Sequence, residues 1–122
     1  MSDIRSSMVM HYREVRPWGE YEVIHEDSNC KVKKITVSPN SKLSYQYHDK
    51  RKECWVVIDG QLIVVLNGAE ITLNPGMNYT IYPGDKHRAW NKTNKPVELI
   101  EVQTGTYFGE DDITRIEDDY GR

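Results

Sequence analysis

A chain of 122 residues, 38% hydrophobic and 29% charged, has room for one economical core and no second domain. Its net charge of -3 gives no general attraction to nucleic acid, and no apolar run approaches the length that spans a bilayer. The opening "MSDIRSSMVMHYREVRPWGE" lacks the apolar stretch of a secretory leader, so a cytoplasmic protein is expected, with Cys30 and Cys54 as free, mostly buried thiols.

In chain order, alternating or β-branched runs predict about nine short strands: "YEVIH" from Tyr21, "CKVKKITV" from Cys30, "LSYQYH" from Leu43, "ECWVVID" from Glu53 and "QLIVVL" from Gln61. "AEITL" from Ala69, "NYTIY" from Asn78, "KHRAWN" from Lys86 and "VELIEVQ" from Val97 complete the set. Segments rich in Gly, Pro, Asn and Asp separate them, and no amphipathic helix precedes the C-terminal tail. Asp59-Gly60 and Asn67-Gly68 each predict a tight hairpin. So many strands in so short a chain predict one all-β domain over residues 1–122, with an N-terminal arm (about 1–15) and a C-terminal tail (about 105–122).

Within "LSYQYHDKRKECWVVIDG", Gln46 and His48 are two apart on a predicted strand and must share a face, while Tyr45 and Tyr47 take the other. Glu53 opens the next strand, and His87 follows the turn in "YPGDKHRAWN". Two imidazoles, a carboxylate and an amide oxygen suit a divalent first-row metal with positions left open. Spacing alone leaves ordinary hydrogen-bonded side chains as the simpler reading. Lys31 and Lys33 alternate along one face of their strand; either would serve as proton carrier or phosphate contact if it faced a cavity. A solvated strand face is the plainer expectation, because Lys is seldom buried without a partner.

The first stretch resembles the first cupin motif, with Gln46 and His48 at its His positions, Glu53 at its Glu and Gly60 at its Gly. Gly76, Pro83, Gly84, His87 and Asn91 resemble the second motif, with its Pro displaced by one residue. "RPWGEYEVI", "KVKKITVSPNSKLSYQYH", "ECWVVIDG" and above all the closing "GEDDITRIEDDYGR" resemble the C-terminal domain of type II phosphomannose isomerases, which is often fused to a mannose-1-phosphate guanylyltransferase. That resemblance, running from about Arg16 to Arg122, implies a cupin double-stranded β-helix, a jelly-roll barrel. It further implies a metal-dependent aldose–ketose isomerase interconverting mannose 6-phosphate and fructose 6-phosphate. Gln46, His48, Glu53 and His87 are then the ligands of a divalent ion, usually zinc, which would polarise the sugar oxygens.

A phosphate anchor is the second requirement of such chemistry, and the planar fork of arginine suits it. Arg115 in the closing signature is the first choice for catalysis or phosphate contact, together with Lys33; its alternative is an ion pair with Asp111, Asp112 or Glu117. Arg122, Arg16 and Lys31 are further substrate contacts. The implied partners are a small sugar phosphate and a second copy in a homodimer, with no nucleic acid and no membrane. This chain departs from the family pattern at Asp49, Lys50 and Cys54, where histidines are usual, and at Trp90 in place of an acid. Those changes keep two other readings open: a non-catalytic metal- or sugar-binding cupin, and a metal-independent sugar-nucleotide epimerase or ketoisomerase using His48 or His87 as base.

Overall fold

The computed structural model describes residues 12–118, and within them the chain is two facing antiparallel sheets closed into a barrel. The strands are β1 (Tyr12–Arg16), β2 (Gly19–Glu26), β3 (Cys30–Val37), β4 (Ser41–Lys42), β5 (Tyr45–Tyr47) and β6 (Arg51–Asp59). They continue with β7 (Leu62–Leu66), β8 (Ala69–Leu73), β9 (Asn78–Ile81), β10 (His87–Asn91), β11 (Val97–Gly105) and β12 (Thr114–Glu117). One sheet has the order β1-β2-β3-β11-β6-β9; the other runs β12-β5-β10-β7-β8, with β4 also on β10. The all-β expectation and every predicted strand are present.

Three differences from the sequence reading have physical causes. "LSYQYH" is interrupted: Trp90 pairs with Lys42 and Asn91 with Ser41, but His87 pairs with Gln46, so one extra residue bulges out between the two pairings. β1 and β12 were not foreseen, because both are edge strands with mostly exposed side chains and no apolar alternation to betray them. Asp59-Gly60 is not a hairpin. β6 pairs with β11 and β9 while β7 pairs with β8 and β10, so Gly60 carries the chain from one sheet to the other. Its φ of 88° and the 2.9 Å separation of a hypothetical Cβ from Val97 Cγ2 explain the glycine. Asn67-Gly68 does form the expected two-residue turn, Leu66 pairing with Ala69 and both turn residues at positive φ.

The inner face of the six-strand β1–β9 sheet is zoned along its strands. Val37, Ile35, Leu99, Val97 and Val57 fill one end and join Trp18, Leu62, Val64, Leu73 and Ile81 in the apolar core. Further along the same strands the inward positions become Lys33, Glu101 and Trp55 in one cross-strand row, then Lys31, Gln103 and Glu53 in the next. Arg51 precedes Glu53 on the same face. Every one of these polar residues is under 9% exposed. Charged residues are rarely buried so thoroughly without partners or a ligand to face.

Candidate metal centre

His48, Glu53 and His87 converge inside the barrel, their candidate ligand atoms all within 4.8 Å of one another. They come from both sheets: Glu53 on β6, His87 at the start of β10 and His48 just after β5. His48 Nδ1 donates to the Arg51 carbonyl at 3.2 Å and His87 Nδ1 to the Asp85 carbonyl at 2.8 Å. A carbonyl oxygen only accepts, so each ring carries its proton on Nδ1 and leaves the Nε2 lone pair free. His48 Nε2 is buried without a hydrogen bond and lies 3.1 Å from Glu53 Oε2. An orphaned imidazole nitrogen beside a carboxylate and a second imidazole is the donor set that zinc-like cations prefer, and the carbonyl contacts orient the rings as outer partners do at metal sites.

The charges are prepared for this. Burial would raise the Glu53 carboxyl, but the Arg51 guanidinium beside it holds it well below the ordinary carboxylate range. Burial pushes the His87 imidazole below its usual value, against the pull of Glu53, and so favours the neutral ring that ligates. Arg51 Nε donates to Glu53 Oε2 at 2.8 Å and Trp55 Nε1 donates to Glu53 Oε1 at 2.9 Å, which fixes the carboxylate plane. Gln46 sits directly opposite His87 on β5 and lines the same cavity. Its amide nitrogen is 3.5 Å from the Ser44 carbonyl, so its oxygen remains available.

The cavity encloses about 60 Å³, which suits an ion with a few waters. Arg16, Lys33, Arg51, Glu101, Glu110 and Arg115 are among its lining residues. The expectation of a solvated Lys31–Lys33 face is therefore corrected: the two are 7% and 6% exposed, on the face that turns inward with Ile35 and Val37. Lys33 Nζ lies 3.5 Å from Glu110 and 4.2 Å from the centre of the Tyr21 ring, partners far away in the chain. Lys31 is buried but is not among the residues lining the cavity.

Arg115 pairs across the ladder with Gln46, bringing the closing signature against the ligand strand. The acids named as its alternative partners are engaged elsewhere. Asp112 accepts from the Asp49 and Lys50 amides, Asp111 from the Tyr107 hydroxyl, and Glu117 lies 3.6 Å from Arg88. Arg16 also reaches the cavity, stacked 5.4 Å from the Tyr21 ring centre and paired with Glu14. Arg122 lies outside the described residues. Lys50 stands 5.3 Å over the Tyr107 ring and does not line the cavity, while Trp90 is flanked by Lys42 and Lys92 at 4.4 and 4.3 Å. Cys30 and Cys54 are free and half-buried. Tyr45 and Tyr47 line outer grooves instead of the cavity, as their alternation with Gln46 requires. Arg51, Glu101, Gln103 and Glu110 were missed or left unassigned; the first three share the inward parity of Glu53 or Leu99, the available signal.

Residues 3–118 match the family model described as "Mannose-6-phosphate isomerase C-terminal". The chain is 43% identical over 118 residues to xanthan biosynthesis protein XanB of Xanthomonas campestris pv. campestris, covering 97% of this chain and 25% of that protein. It is 39% identical over 118 residues to a mannose-1-phosphate guanylyltransferase of Klebsiella pneumoniae, again 97% of this chain and 25% of the relative. A Klebsiella pneumoniae protein with a double-stranded beta-helix domain superposes with a TM-score of 0.72 at 23% identity, over 84% of this chain and 90% of that one. The barrel is thus the cupin type. The chain spans about a quarter of the length of these curated relatives, and they are named for guanylyl transfer and polysaccharide biosynthesis. That overturns the expectation that this chain is itself a mannose 6-phosphate–fructose 6-phosphate isomerase: it corresponds to one isomerase-like region of proteins that carry other names.

Proposed function

The chain belongs to the mannose-6-phosphate isomerase C-terminal family, and from that premise we propose that it is a metal-centred domain of sugar metabolism that binds an anionic sugar at its barrel mouth. The observation that carries this reading is the buried convergence of His48, Glu53 and His87 beneath a mouth bearing Lys33, Arg16 and Arg115. His48, Glu53 and His87 would hold a divalent ion of the zinc type, with Gln46 beside them. Such an ion supplies a Lewis acid for sugar oxygens.

The chain's own residues do the rest. Arg51 and Trp55 keep the Glu53 carboxylate in one orientation, and the two backbone carbonyls keep both imidazoles in the ligating tautomer. Arg115 and Arg16 face an anionic group at the mouth, where a planar fork gains most from a phosphate or carboxylate. Binding energy collected there orients the sugar's other end over the buried cluster.

The test is metal content by mass spectrometry on the purified chain, followed by calorimetric titration with mannose 6-phosphate and, separately, unphosphorylated mannose. About one divalent ion per chain, lost in Glu53→Gln, is expected, together with binding of the phosphorylated sugar only. A chain that takes up no metal, or that binds both sugars equally, contradicts the proposal.

A further inference from the structure

The outer side of the β1–β9 sheet carries an aliphatic patch that the other described elements leave uncovered. Val32 on β3, Ile100 and Val102 on β11, and Cys54, Val56 and Ile58 on β6 alternate with the buried inward residues of those strands, so they point away from the barrel interior. The ladders set them side by side. Val32, Val102 and Cys54 form one cross-strand row, and Ile100 and Val56 share the next with Lys34. Every strand among the described residues belongs to one of the two sheets, and the 3₁₀ turn Glu110–Asp112 lies with Lys33 on the inner side, so no described element lies over this face. An antiparallel sheet with one solvated side ordinarily puts polar residues there, and a contiguous aliphatic surface in their place marks a contact.

We propose that a second copy of the chain docks on this face, the two six-stranded sheets packing back to back about a twofold axis. Charge selects a second copy as the occupant. β6 carries exposed Lys52 at one end of the patch and exposed Asp59 at the other. A twofold axis in the contact plane, crossing β6 at right angles near Trp55, sets that strand antiparallel to its copy and brings each Lys52 towards the other's Asp59. The same axis lays the row of Val102 and Cys54 over the row of Ile100 and Val56. One surface thus supplies both halves of every pairing, as an isologous contact requires.

Size agrees with this occupant. β2, β3, β11 and β6 are each eight or nine residues long. At the usual strand spacing they present roughly 500 Å², so two copies bury about 1,000 Å², where specific contacts begin. The expected homodimer contact then lies on the sheet whose inner side bears Lys33, Glu53 and Glu101, and the second copy backs the cavity wall. Nothing in this contact depends on what the barrel binds.

The experiment is analytical ultracentrifugation of the whole chain from about 1 to about 100 µM, with circular dichroism to confirm that each variant is folded. Wild type should sediment as a dimer. Val102→Lys, on the outer side of β11, should keep the fold and weaken the dimer at least about 100-fold, because it buries two charges at the centre of the contact. Lys52→Glu and Asp59→Lys each set like charges together and should weaken it about 10-fold alone; combined, they should return it to within about three-fold of wild type. A wild type that is not dimeric overturns the proposal. So does a dimer that withstands Val102→Lys, or one that the swapped pair fails to restore.

Discussion

At the scale of single residues, the barrel keeps two carboxylates a row apart and drives them in opposite directions. Glu53 is stabilised as an anion by Arg51, whose own side chain is 3% exposed, so each would be a stranded charge without the other. Arg51→Met should therefore cost about 3–5 kcal/mol, measured as a lower urea midpoint with an unchanged m-value. Glu101 behaves inversely. Its folded pKa of about 7 lies above the unfolded value, so its contribution to stability is fully present below about pH 4.5 and is lost as pH rises through 7. Thermal unfolding of the metal-free chain should show Glu101→Gln more stable than wild type at pH 8, by about 2 kcal/mol, with the difference vanishing near pH 4.5. Both acids lay in plain view in the sequence. Glu53 was found through motif spacing, whereas Glu101 needed the strand register that "VELIEVQ" alone does not give. Lys31 and Lys33 were misjudged because composition favours exposed lysines, and the partners that reverse the preference for Lys33, Glu110 and Tyr21, lie on other elements.

At the scale of elements, the segment after β11 acts as a strap across the mouth. Phe108 is buried, the 3₁₀ turn Glu110–Asp112 sets Glu110 against Lys33, and β12 then joins the edge of β5. The Asp112 carboxylate fastens the strap by accepting from the Lys50 amide at 2.9 Å and the Asp49 amide at 3.3 Å. Asp112→Ala should leave metal binding intact while opening the strap locally. Amide hydrogen exchange should accelerate roughly 10-fold at Lys50 and across Thr114–Glu117, consistent with about 1–2 kcal/mol for the lost charge-assisted bonds, and stay unchanged in β3 and β11. The closing signature was legible as a motif but not as a strand, since its ladder partner β5 is only three residues long and itself irregular. Asp59-Gly60 and Asn67-Gly68 look alike as dipeptides. They diverge because the residues flanking the first find partners in different sheets, which no local pattern encodes.

At the scale of the whole molecule, the candidate ligands bridge the two sheets. An ion there would bind the folded chain far better than the unfolded one. Saturating zinc should raise the thermal midpoint, excess chelator should lower it, and Glu53→Gln should abolish the difference. At a zinc concentration about 100 times the dissociation constant the gain is about 2.7 kcal/mol. The all-β class and the grouping of His48, Glu53 and His87 could be read from alternation, turn residues and motif spacing, whereas β1, β4 and β12 could not. The zoned interior could not, because it depends on which strands lie side by side, and β3, β11 and β6 are neighbours only in the folded barrel.

The Arg51–Glu53 pair also bears on the order in which the site is completed. With the Glu53 carboxylate neutralised by a built-in guanidinium and both imidazoles tied to backbone carbonyls, this cluster of three holds no uncompensated anion waiting for a cation. Folding and loading are then separable events, unlike in domains that collapse only around their ion. A newly made chain can close its sheets first and acquire its metal afterwards from whatever pool it meets, so occupancy would follow supply while the scaffold itself persists.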